Sequence, residues 1–228
     1  MLKREIVRVA HKLWIREYVD GNGGNISARL GDLVLCTPTL LSKGDVRESD
    51  IVLVDLAGRQ VAGTGRRPSS ELSLHLAILN AVPDARAVVH CHPVHASAYA
   101  ITGQLLPEWL LAEPEVFIGR VALVPYETPG TLDCANAAAA LAKHHNAMLL
   151  ANHGVVCWAD TPTHAEWLVE VLDTYCRILL LAAATPAPLK AISTSKAREL
   201  LALKKRLNLP DARYTLSDRD LMARAPRS

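Results

Sequence analysis

The chain reads as an α/β protein in three layers, with helices on both sides of a central, mostly antiparallel sheet. Apolar residues recur at helical spacing in several blocks, and short runs rich in Val, Leu and Ile lie between them. Two such runs, at 32–37 and 51–55, follow one another with only a polar loop between them, which points to antiparallel pairing. At 228 residues, half of them apolar, the chain can bury one generous core. A single domain over residues 1–228 is expected, with a C-terminal tail from about residue 208.

Each element has a local cause. Ile6, Val9 and Leu13 set the apolar stripe of a first helix, over about 3–18, that ends before Asp20-Gly21. The stretch from Gly21 to Arg29 is a glycine-rich turn leading into a strand. The loop between the next two strands holds Ser42-Lys43-Gly44-Asp45. After the turn-rich stretch 62–68, Ser69 and Ser70 can cap a helix of good formers, which puts Glu71 in its first turn. Ala87 to Pro93 is a strand. A helix over 137–143, strands over 148–151 and 155–158, and a long helix over 163–184 opened by Thr161-Pro162-Thr163 follow. Pro186 and Pro188 separate a last helix, 193–207, from a polar tail through Asp211-Ala212-Arg213-Tyr214.

Composition excludes several functions. Lysine plus arginine exceed acidic residues by two, 25 against 23, so no basic face for nucleic acid is implied. The dense basic run Lys204-Lys205-Arg206 reads as a solvated helix face. No uninterrupted apolar stretch reaches the roughly 18 residues of a membrane span. The five cysteines are odd in number and lack C-x-x-C spacing, so they read as reduced thiols of a cytoplasmic protein.

Chemistry concentrates in Ala87-Val88-Val89-His90-Cys91-His92-Pro93. Side chains alternate along a strand, so His90 and His92 face one way and Cys91 the other, as a small buried hydrophobe. A third imidazole, His153, stands where another apolar run ends in Asn152-His153-Gly154. Three neutral imidazoles and one open position suit a catalytic zinc ion better than a structural one, which takes four protein ligands, cysteines among them. Such an ion would be a strong Lewis acid in need of a base beside it, and Glu71, at a helix start after a glycine-rich loop, is the candidate. His11, His75, His95, His144, His145 and His164 show no such pairing and carry no assigned chemistry. Asn25 and Ser27, Thr37 and Thr39, and Ser69 and Ser70 form three loops of small donors that suit an anion such as phosphate, with Arg66 and Arg67 near enough in sequence to assist.

Gly21-Asn22-Gly23-Gly24-Asn25-Ile26-Ser27, Thr37-Pro38-Thr39, Pro68-Ser69-Ser70-Glu71, His90-Cys91-His92-Pro93 and Asn152-His153-Gly154 resemble, in order and spacing, the class II aldolase/adducin family, and within it the fuculose-phosphate aldolases. The likeness runs from the first helix to about Ala184. It implies that His90, His92 and His153 bind Zn2+ or another divalent metal, that Glu71 moves a proton, and that Asn25, Thr39, Ser69 and Ser70 hold the phosphate of a sugar-phosphate substrate. It also implies a homotetramer with active sites at subunit interfaces, where Tyr214 of a neighbouring copy would be the acid. The implied reaction is aldol cleavage of a ketose phosphate to dihydroxyacetone phosphate and an aldehyde. Family rivals are a decarboxylase, a dehydratase, a 4-epimerase or a non-enzymatic adducin-like scaffold. Two departures stand out: Leu40 follows Thr37-Pro38-Thr39 where the family usually has glycine, and no tyrosine lies between Trp109 and Phe117.

Overall fold

A computed structural model describes residues 1–62 and 65–226. Helix α1 (Leu2–Ile15) is followed by strands β1 (Asn25–Leu30), β2 (Leu33–Cys36), β3 (Val52–Asp55) and β4 (Gln60–Ala62). Then come α2 (Leu72–Ala81), β5 (Ala87–Cys91), α3 (Val94–Ala100), α4 (Ala112–Phe117), β6 (Ala122–Val124), α5 (Leu132–Ala142), β7 (Ala147–Leu150) and β8 (Gly154–Ala159). Helices α6 (Pro162–Ala182), α7 (Thr194–Arg206) and α8 (Asp218–Leu221) complete the chain. Of the turn-rich stretch 62–68 expected before α2, Gly63 and Thr64 lie outside the described residues.

The strands form one sheet in the order β4-β3-β2-β1-β5-β8-β7-β6, antiparallel at every junction except β6–β7. Its two faces carry different cores. Ala87, Val89 and Cys91 of β5 join the cluster under α1, α3 and α6, while Val88 joins the cluster under α2 and α5. The α1 stripe of Ile6, Val9 and Leu13 is buried as its spacing predicts, each such side chain contributing about 1.5–3 kcal/mol. Thr161 caps α6 by accepting from the backbone N–H of His164 at 3.1 Å, with Pro162 in the first turn.

The expectations differ from the structure in particular places. Strands β4 and β6, three residues each, and the short helices α3 and α4 are too brief to leave a periodic signal. Lys204 does not lie on a solvated face: it is fully buried, and its ammonium pairs with Asp211 at 2.9 Å. That pair belongs to a docked tail. Arg213 lies over the Trp109 ring at 4.5 Å and pairs with Glu115 and Asp211, while the Trp109 indole N–H donates to the Leu221 carbonyl at 2.8 Å. The five cysteines are free and buried. No helix among the described residues is long and apolar enough to cross a membrane.

Candidate metal centre and active site

Three histidines from two separate stretches of chain converge. His90 is the penultimate residue of β5, and His92 is the first residue after the strand. Their Nε2 atoms are 3.1 Å apart, as alternation along a strand predicts. His153 arrives on the turn between β7 and β8, which Asn152 makes by adopting a left-handed φ of 55°. One ligand atom from each ring lies within 4.8 Å of the others.

Neighbouring backbone holds the rings. His90 Nδ1 donates to the Val155 carbonyl at 2.8 Å, so its Nε2 lone pair faces the cluster. The backbone N–H of His92 donates to the Tyr18 carbonyl at 2.8 Å, tying the strand end to the residues after α1. Gly154 lets the His92 ring sit where it does, because a Cβ there would meet His92 Cδ2 and the Cys91 carbonyl oxygen, each at 2.6 Å. Gly24, at φ 69°, is similarly hemmed in: a Cβ would meet the His90 carbonyl at 3.0 Å.

Glu71 stands beside the three rings. Its Oε2 is 3.2 Å from His90 Nε2 and its Oε1 is 3.5 Å from His153 Nε2. The expectation placed it in the first turn of α2, but it is the residue before the helix, with non-helical φ −102° and ψ 17°. The reason is a turn: Ser69 Oγ accepts from the Glu71 N–H at 3.2 Å and the Ser69 carbonyl accepts from the Leu72 N–H. Asn25 Nδ2 donates to Glu71 Oε2 at 2.9 Å, whereas Oε1 is buried with no hydrogen-bond partner.

Electrostatics fit a cation. Burial, then repulsion from His90, pulls His92 and His153 down to about 4, so both are neutral donors near pH 7. Burial alone would raise the Glu71 carboxyl, yet His90 and His153 beside it, with the Asn25 amide, hold it well below the usual carboxylate range. Three imidazoles, no thiolate, and an ionised carboxylate with one buried oxygen that takes no hydrogen bond form a donor set that could hold a divalent metal ion in an open, catalytic site.

Of the three donor loops, Asn25 and Ser69 contact Glu71, while Ser27 is engaged with His75 and Thr37 accepts from the Ile26 N–H at 3.1 Å. An isolated bridge between Pro38 and Pro68 lays the Thr39 loop alongside Ser69 and Ser70, and the Thr39 N–H donates to the Arg67 carbonyl at 3.1 Å. Ser70 is exposed, Thr39 half-buried, and Ser69 buried. Leu40 is exposed at a left-handed φ of 54°, a conformation glycine adopts freely. Arg66 pairs with Asp50 at 2.6 Å. Tyr214 lies in the docked tail, its hydroxyl donating to the Leu209 carbonyl at 2.5 Å. His75, given no chemistry from sequence, is buried against Asn25 and Ser27 of β1. Only the pairing of β1 with β5 and the lie of α2 across it bring it there.

A family model for the class II aldolase and adducin N-terminal domain matches residues 4–180. The chain belongs to that family. It is 34% identical over 175 residues to an L-fuculose phosphate aldolase of Methanococcus vannielii, covering 77% of this chain and 93% of that one. To a 3-oxo-tetronate 4-phosphate decarboxylase of Cupriavidus necator it is 33% identical over 189 residues, 81% of this chain and 86% of the other. A solved structure of an L-fuculose 1-phosphate aldolase superposes with a TM-score of 0.81 at 29% identity, covering 90% of this chain and 96% of its own. The relatives named here are enzymes, and among relatives of the class II aldolase family this chain stands with those of the fuculose-phosphate aldolase type.

Proposed function

We propose that the chain is a metal-dependent aldolase that cleaves a ketose phosphate, similar to fuculose 1-phosphate, into dihydroxyacetone phosphate and an aldehyde. The observation that carries this reading is the Glu71 carboxylate set against three converging imidazoles with one oxygen, Oε1, buried and without a hydrogen bond. His90, His92 and His153 would hold the ion, Zn2+ or another divalent metal. When bound, it would supply positive charge next to the oxygens that become negative as the carbon–carbon bond breaks.

The chain's own groups do the rest. In the cleavage direction the C4 hydroxyl gives up its proton as the C3–C4 bond breaks, and the electron pair stays on the phosphate-bearing fragment. Glu71, once it has taken up a proton from solvent, gives one to that fragment's carbon, and in the reverse direction its carboxylate removes it. Tyr214 of a neighbouring copy is the proposed group that exchanges the hydroxyl proton, in a homotetramer whose sites lie between subunits. Asn25, Thr39, Ser69 and Ser70 are the proposed phosphate contacts. Asn25 keeps one amide N–H for that purpose, since its carbonyl oxygen and its other N–H are engaged. The buried free thiols fit a cytoplasmic protein.

A decarboxylase acting on an oxidised sugar phosphate is the second reading. It is favoured by the Cupriavidus necator relative. Elemental analysis of the purified protein, followed by incubation with ketose phosphates and with oxo-acid phosphates, tests both. Stoichiometric metal and aldehyde release are expected. Carbon dioxide without aldehyde moves the assignment to the decarboxylase, and a protein that neither holds nor takes up a divalent metal overturns both.

A further inference from the structure

Behind Glu71 runs a buried chain of hydrogen bonds whose every donor and acceptor is determined. Glu71 Oε2 takes a hydrogen bond from Asn25 Nδ2 at 2.9 Å, Asn25 Oδ1 meets His75 Nε2 at 2.5 Å, and His75 Nδ1 meets Ser27 Oγ at 2.8 Å. His75 is 1% exposed, Ser27 0% and Asn25 5%. An ionised carboxylate only accepts, so Asn25 must turn its NH2 toward Glu71 and its carbonyl oxygen toward His75. That oxygen also only accepts, so His75 Nε2 carries the ring proton. Burial first, then repulsion from His90, keeps the His75 ring neutral, its pKa pushed down to about 3. Nδ1 is therefore bare and accepts from the Ser27 hydroxyl.

The architecture makes the network possible. Asn25 and Ser27 lie two residues apart on β1 and share a face, and Asn25 pairs with His90 while Ser27 pairs with Val88 in the β1–β5 register. Glu71 and His75, four residues apart where α2 starts, reach that face from above. Without the His75 N–H, Asn25 Oδ1 would be an unsatisfied buried acceptor, and the amide would be held at its Glu71 end alone.

We propose that His75 is a positioning residue: its Nε2–H orients the Asn25 amide, which grips Glu71 Oε2 beside His90 and leaves Oε1, on the His153 side, as the oxygen without a hydrogen bond and open to the substrate. This rests on Glu71 as the proton-transferring carboxylate. The network's direction, however, can be tested on the metal-free protein without any assay of activity. Long-range 1H–15N NMR of the histidine rings at pH 7 should show His75 as the Nε2–H tautomer, with a protected ring proton that Asn25→Ala exposes to exchange. An Nδ1–H tautomer or an imidazolium overturns the proposal.

Kinetics of the zinc-loaded protein supply the second arm. His75→Leu should keep stoichiometric zinc, lower kcat about 10–100-fold and leave KM within about threefold. His75→Gln, whose amide N–H can still reach Asn25, should recover most of that loss. Native kcat in His75→Leu, or a loss expressed only in KM or in zinc content, overturns the positioning role. If the native protein turns over no sugar phosphate at all, the proposed reaction fails, while the NMR result still decides the state of His75.

Discussion

Gly154 faces the His92 imidazole with no room for a methyl group between them. An added Cβ would lie 2.6 Å from both His92 Cδ2 and the Cys91 carbonyl. The Asn-His-Gly turn thus does two jobs, presenting His153 and admitting His92. Gly154→Ala should push the His92 ring out of register, destabilise the protein by about 1–3 kcal/mol through overpacking and weaken zinc binding about 10–100-fold. Competition titration against a chelator measures the second effect, and unchanged affinity would show that the ring relaxes freely.

Removing a ligand should be harsher than crowding one. His90, His92 and His153 each have a ring nitrogen in the cluster, so alanine at any of the three should lower metal affinity by about 100-fold or more and abolish turnover together. Elemental analysis beside the rate measurement checks the pairing of the two losses. An active, metal-free His92→Ala would refute the metal mechanism.

Glu71→Gln keeps the shape of the side chain and removes its basicity. Turnover should fall about 10²–10⁴-fold while zinc stoichiometry stays at the native value. A variant that turns over normally would free Glu71 from the chemistry and leave it only the role of a neighbour to the histidines.

Acid should loosen the C-terminal tail in a defined range. Burial alone would raise the Asp211 carboxyl, but Arg213 and Lys204 outweigh it and hold it to about 2, below its ordinary 3.8. A depressed carboxyl contributes stability that is complete above about pH 4 and is lost as pH falls toward 2, here on the order of 2 kcal/mol. Asp211→Asn should remove that acid dependence and destabilise the tail at pH 7. Trp109, buried beneath Arg213, is the fluorescent reporter.

Leu40 occupies a left-handed conformation that costs a branched side chain roughly 1–2 kcal/mol. Glycine would relieve this strain but adds about 0.5–1 kcal/mol of unfolded-chain freedom. Leu40→Gly should therefore stabilise slightly, by up to about 1 kcal/mol, in urea denaturation. A clear loss of stability would mean that the exposed leucine makes contacts worth more than its strain.

Much of the centre was legible because strand alternation is a local rule: His90 and His92 share a face whatever else the chain does, and Asn-His-Gly announces a turn that exposes its histidine. Glu71 was legible as a helix-start carboxylate, though the Ser69 turn moves it one step outside the helix. His75 was not legible. It resembles any apolar-face histidine until β1 is set against β5. Lys204 reads as one of three solvated cations until the tail folds back and seats Asp211 on it.

The sequence by itself determined the strands and helices long enough to show a period, the layered class, and the residue types able to bind a cation and move a proton. Those follow from local geometry and side-chain chemistry. Only the tertiary structure decided that residues from β1, α2, β5 and the β7–β8 turn meet, which oxygen of Glu71 takes no hydrogen bond, and where the tail docks. These are distances between segments remote in the chain, settled by sheet register and packing rather than by any local preference.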